Sequence, residues 1–219
     1  MASKSLSHGQ LAKFMTSDAA AQMRVVHDAK YPNTDESRAQ AKYYREAHDR
    51  VRIHHNRNQP PPWLPAEAAA LRVQAGQSPK SRTRSRLHNN ARAIDDHAAH
   101  FAGRPFTVLQ GKRFKLVYGD VTIRVTPDFI VRERAMEKLV RLYCNGPEPS
   151  DDYVKIICQT MFEAAVQAGW PNGQTMTPAR VLFLDLHRGV THKGAAMRSR
   201  MQTNIQAACL QVSAIWDAI

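Results

Sequence analysis

With 219 residues, 43% of them hydrophobic, the chain has the size for one domain, or one domain with a sizeable insertion, around a real core. Its 31 Lys and Arg against 19 Asp and Glu leave a formal charge of +12, which points to a polyanionic partner, nucleic acid ahead of a membrane surface. Three widely spaced cysteines (Cys144, Cys158, Cys209) with no Cys-x-x-Cys pair argue against a zinc or iron–sulfur site; MASKSLSHGQ has no apolar h-region and no apolar stretch approaches 18 residues, which argues against a signal peptide and a membrane span, so a cytoplasmic protein with reduced thiols is expected.

In chain order, SLSHGQLAKFMTSDAAAQMRVVHDAK reads as a helical region, with Leu11, Phe14 and Met15 on one face and Ser5 or Ser7 as its cap. YPNTDES breaks it. A polar, basic helix is expected over 38–53, anchored by Tyr43 and Tyr44. HHNRNQPPPWLP must be loop or polyproline, because three consecutive prolines fit neither a helix interior nor a central strand. A short helix is expected over 66–73. Residues 76–86, GQSPKSRTRSR, are the most basic and least apolar stretch, either a disordered arm or the lead into the helix expected over 87–101. Lys80, Arg82, Arg84, Arg86 and Arg92 are the candidates there for neutralising phosphates, against the alternative of a solvated surface run.

From residue 106 the pattern changes. FTVLQ, RFKLVYG, VTIRVTPDFIV and KLVRLYC are short, β-branched or aromatic, and separated by turn residues, so they predict an antiparallel meander of about four strands. A helix over 151–169, capped by Ser150 or Asp151, carries the wide apolar face Val154, Ile157, Cys158, Met161, Phe162 and Ala165. ARVLFLDLHRG reads as a strand covered on both faces, and 195–219 as a closing helix. The expected architecture is α/β: a central mixed sheet with the meander, flanked by helices, behind a helical, basic N-terminal region (1–86), with the core over 87–219.

Asp128 interrupts this pattern. A carboxylate in a strand is costly unless it is paired or binds a metal, and Pro127 before it removes a ladder donor, which distorts the strand or places it at an edge. Either Asp128 is aimed into a cleft or it caps a bend and pairs with an arginine. The ordered set SLSHGQLAKF, TPDFIV, a following strand, a helix with Gln159 in ICQTMFEAA, then VLFLDLHRG and IQAACLQVSAIW resembles the PD-(D/E)XK nuclease superfamily, its RecB-type branch in particular. The resemblance implies a restriction-endonuclease-like core, DNA ahead of RNA as partner, and Asp128 as a ligand of Mg²⁺ or Mn²⁺.

The strand KLVRLYC departs from that family. Alternation puts Leu139, Arg141 and Tyr143 on the cleft face, where the family has a carboxylate and a lysine. Arginine cannot ligate Mg²⁺, and a hard cation needs oxygen ligands. Arg141 is therefore expected to pair with Asp128 in the metal's place. A rebuilt site would draw on Glu163, on the helix face of Gln159, Glu163 and Gln167, with Lys155 as a migrated lysine, or on His97 and His100 at i, i+3. Each has the plainer reading of a surface residue. Glu133 and Glu137 lie at the hairpin turn, too far along the strands. The expectation is a nucleic-acid-binding protein with a degenerate nuclease centre, in which Arg141, Tyr143 and Gln159 join the basic segment at the nucleic acid. The alternatives are an active Mg²⁺- or Mn²⁺-dependent nuclease and a protein-interaction or assembly subunit.

Overall fold

The computed structural model of the chain describes residues 4–33, 43–170, 175–196 and 199–219. Among them the order is β1 (Lys4–Ser7), α1 (His8–Met15), α2 (Ala19–Lys30), α3 (Arg45–Asn56), α4 (Trp63–Gln77), α5 (Ser81–His100), β2 (Phe106–Val108), β3 (Phe114–Tyr118), β4 (Val121–Val125), β5 (Phe129–Glu133), β6 (Met136–Tyr143), α6 (Asp151–Gln167), β7 (Val181–Asp185), β8 (Val190–Lys193) and α7 (Ser199–Ala218). The α/β expectation stands, but the single sheet with a four-strand meander does not. There are two sheets. One has the order β1-β4-β3, with β1 parallel to β4; the other runs β2-β5-β6-β7-β8, antiparallel except for the parallel β6–β7 pair.

Thr126-Pro127-Asp128 is where the chain changes sheets. VTIRVTPDFIV is two strands rather than one. The ladder of β4 with β3 ends at the Val125–Phe114 pair, and Pro127 has no N–H with which to extend it. The Asp128 N–H instead donates to the Val140 carbonyl at 2.9 Å, so the chain enters the second sheet one residue before β5. Strands β1 and β8, four residues each, were not anticipated; so short a run carries too little alternation to register.

The helices follow local chemistry. Ser7 caps α1 in a reciprocal box, its Oγ accepting from the Gln10 N–H (3.2 Å) while Gln10 Oε1 accepts from the Ser7 N–H (2.8 Å). Asp18 caps α2 with its side chain alone, Oδ1 accepting from the Ala21 N–H at 2.8 Å, which splits the expected single helical region. Helix α4 is longer than the expected 66–73; Pro65 falls in its first turn, where a missing N–H leaves no bond unmade. Ser150 caps α6, and Asp151 and Asp152 lie in its first turn, where the helix dipole favours carboxylates. The basic stretch is helical from Ser81, so it is part of α5 rather than a disordered arm, and the 86/87 boundary falls inside that helix. The helix expected over 38–53 begins at Arg45; residues 34–42 lie outside the described ones.

Two cores result. One packs α1, α2, α6 and α7 with the first sheet and one face of the second, around Phe14, Ile123, Ile157, Met161, Phe183 and Trp216. The other packs α3, α4 and α5 on the opposite face of the second sheet, around Leu64, Leu71, Ile94, Val140 and Leu182. All five residues of β7 are buried because both faces are covered, as the apolar run VLFL implied. Each large aliphatic or aromatic side chain so buried contributes roughly 2 kcal/mol. The β5–β6 hairpin turns on Arg134 and Ala135, both left-handed (φ 50° and 65°), the conformation a two-residue loop between twisted strands requires. No helix among the described residues is long and apolar enough to cross a membrane.

Candidate functional site

Asp128 is closed by the protein itself. Its Oδ1 lies 3.1 Å from Arg141 Nη1, and its Oδ2 accepts from the Leu142 N–H at 2.7 Å. His48 Nδ1, from α3, is 3.9 Å from Oδ1. The carboxylate side chain is only 10% exposed and the guanidinium 31%. The Asp128 charge beside it holds the Arg141 pKa above its ordinary value. His8, at the start of α1, belongs to the same neighbourhood. It is buried, neither ring nitrogen has a hydrogen-bond partner among the described residues, and burial, then the Arg141 charge, pushes its pKa down to about 4.

A second carboxylate repeats this closure. Asp185 ends β7 and is 1% exposed. Its Oδ2 accepts from Arg188 Nη1 at 2.9 Å, and Arg188 Nη2 reaches on to the Gly146 carbonyl at 2.8 Å. Asp185 pairs in register with Tyr143, so these contacts gather at the carboxyl ends of the parallel strands β6 and β7. Ligand sites of open α/β sheets lie outside such ends. A polar cavity of about 290 Å³ opens there, lined by Tyr44, Asn89, Arg92, Tyr143, Asn145 and Gly146 among others. The Tyr143 ring packs at a tilt against Tyr153 and Phe183 (59° and 30° between planes), and its hydroxyl donates to the Pro147 carbonyl at 3.1 Å.

Helix α5 leads into that cavity. Arg82, Ser85, Asn89 and Arg92 fall at i, i+3, i+7 and i+10, on one exposed stripe. Arg86 beside the stripe is engaged by Glu46. Arg92 lies against the His187 ring (2.6 Å) and 3.8 Å from Asp96. Arg84 is exposed but projects from the other side of the helix, and Lys80 is exposed at the N-cap. The five basic candidates therefore do not make one surface: Arg82 lies at the far end of the stripe and Arg92, which also meets Asp96 and His187, lines the cavity, while Lys80, Arg84 and Arg86 are turned aside or paired.

The rebuilt site is not assembled. Glu163 accepts from the Tyr118 hydroxyl and, at 2.8 Å, from Gln159 Nε2; it faces β3 and shares no partner with Asp128. Lys155 is exposed and pairs with Asp152 at 3.5 Å. Lys155 and Gln159 line a separate cavity of about 670 Å³ between α6, β8 and α7. His97 is buried with its Nε2 at 3.0 Å from His55 Nε2, and the His100 ring packs over Gly189. Glu133 pairs with Arg104 and Lys138, and Glu137 with Arg132. Among the described residues no group of three or more His, Cys, Asp or Glu side chains could hold a metal ion.

Sequence reasoning missed His8, His48, Asp185 and Arg188. Asp185 had a readable signal: like Asp128, it is a carboxylate at the end of an apolar strand. His8 and His48 had none, since only tertiary packing brings them to Asp128. No protein-family model matches the chain, and neither a curated protein nor a solved structure matches it.

Proposed function

We propose that the chain binds nucleic acid along the exposed stripe of α5 and at the carboxyl ends of β6 and β7, on a restriction-endonuclease-like core whose nuclease centre has become an internal ion pair. The observation that carries this reading is the closure of Asp128. Both carboxylate oxygens are taken, one by the Arg141 guanidinium at 3.1 Å and one by the Leu142 N–H at 2.7 Å. A metal would have to displace a charge-assisted bond and leave the Arg141 charge beside it. The +12 charge and the Arg82–Arg92 stripe ending in a polar cavity support binding to phosphates. Asn89, whose amide gives one N–H to the Tyr43 hydroxyl, keeps a second to offer a backbone or a strand end, while the Tyr44 and Tyr143 hydroxyls already donate to the Cys144 and Pro147 carbonyls.

The test is fluorescence polarisation with labelled single- and double-stranded DNA and RNA over a salt series, in Mg²⁺ and in Mn²⁺. Binding should weaken steeply with salt, at a slope near −0.9 per phosphate contacted on duplex. Arg82→Glu/Arg92→Glu should weaken it by about tenfold or more, which is about 1.4 kcal/mol. A salt slope near zero, or binding untouched by that double variant, would overturn the reading. Metal-dependent cleavage abolished by Asp128→Ala would make the protein an active nuclease instead.

A further inference from the structure

The three-stranded sheet has an outer face whose charges work against folding. Alternation along its strands turns Leu6, Ile123 and Leu116 into the core and Ser5, Thr122, Arg124, Lys115 and Val117 outward. Register sets Arg124 directly opposite Lys115. Side chains so opposed have Cβ atoms about 5 Å apart, and like charges there are destabilising. Both residues are exposed, and neither has an acidic partner among the described residues. The one acid of the β3–β4 hairpin, Asp120, is taken by Lys4 at 2.7 Å. Lys112 and Arg113, just before β3, are exposed as well and have no carboxylate partner among the described residues. Arg124 and Lys115 thus share one sheet face on which the described residues place no countercharge, next to the hydroxyls of Ser5 and Thr122, with Arg113 beside it and the Lys112 ammonium over the Phe114 ring.

We propose that this face is a second contact surface for the phosphodiester backbone of a nucleic acid. It rests on the function proposed above, and names a surface that function does not require. A phosphate seated between Arg124 and Lys115 turns their repulsion into two attractions, and the Ser5 and Thr122 hydroxyls are placed to donate to neighbouring phosphate oxygens. The occupant is a polyanion rather than a lipid surface. Insertion into a membrane needs aromatic or long aliphatic anchors, and this face offers only Val117, 49% exposed.

Lys115→Glu separates the two explanations of the face. It sets opposite charges in register, so thermal stability should rise. Affinity for a labelled 30-nucleotide single strand should fall about fivefold or more, with a salt slope shallower by about one contact. Higher stability with unchanged affinity would mean a merely solvated face and would overturn the proposal. Lysine acetylation of the wild-type protein gives a readout that needs no variant. Lys112 and Lys115 should be protected by bound DNA while Lys193, on the second sheet, stays reactive; equal labelling with and without DNA would overturn it. If Arg82→Glu/Arg92→Glu weakens binding and Lys115→Glu does not, only this inference falls. If the wild type binds no nucleic acid at low salt, the proposed function falls with it.

Discussion

Two buried polar clusters in this protein are compensated by opposite means. Around Asp128 the charges are kept and paired: the carboxylate meets a guanidinium and a backbone N–H. Around His97 the charges are avoided. His55 and His97 face each other at 3.0 Å, His54 and the Arg104 cation are close by, and burial drives both rings toward the neutral form. The difference teaches where each cluster fails. A paired charge fails when its partner is removed, and a neutral cluster fails when protons are supplied.

Acid should therefore produce the largest effect. The His55 pKa is pushed down to about 4 from 6.5 by burial first, then by His54 and Arg104. Above pH 6.5 the ring is neutral in both states and no linkage arises. Between pH 6.5 and 4 the unfolded chain takes up a proton that the folded chain refuses, so stability falls throughout that window. For His55 alone the loss is on the order of 3 kcal/mol by pH 4, and His8 and His97, shifted in the same direction, add to it. Urea unfolding at pH 7 and pH 5 measures the slope, and His55→Asn should flatten it. An unchanged slope in that variant would show that the histidine pair is not the acid-sensitive element.

Removing the partner of Asp128 comes next. Arg141→Met should cost about 2–4 kcal/mol, the lower end reflecting the partial exposure of the guanidinium. Asp128→Asn/Arg141→Met should cost clearly less than the sum of the single variants, since the double variant strands no charge. Additive losses would mean that Arg141 acts through packing and does not close the carboxylate.

A smaller effect is expected at Glu163, whose donors among the described residues, Tyr118 and Gln159, are neutral. Tyr118→Phe removes one of them and should cost about 1–2 kcal/mol in thermal or urea unfolding. Smallest of all, Glu163→Gln should stay within about 1 kcal/mol, because an amide can accept from the same hydroxyl. If Glu163→Gln proved the costlier of the two, the carboxylate charge would have a role that its neutral partners do not explain.

Some of this was legible in the residues. The wide apolar face of α6 and the continuous run of β7 are local patterns, and each gave the right element; the three prolines marked a break, but it is shorter than the loop expected over 54–65, because α3 runs on to Asn56 and α4 starts at Trp63. The pairing of Arg141 with Asp128 also followed from strand alternation, because period two puts Arg141 on the carboxylate's face. The assembly of Glu163 and Lys155 with Asp128 did not follow. Helix periodicity places Gln159 and Glu163 on one face but does not say which sheet that face meets. It meets β3 through Tyr118.

The sequence by itself determined the charge, the helix over 151–169, the double-sided burial of β7 and a distortion of the strand at Pro127. Those follow from composition, from periods of 3.6 and 2, and from a residue without an N–H. Only the tertiary structure decided that this distortion separates two sheets, that Ser5 and Ser7 belong to a strand beside β4, and that His8 and His48 gather at Asp128. Such contacts join residues some 80 to 120 positions apart, and a local pattern holds no record of which distant surface will cover it.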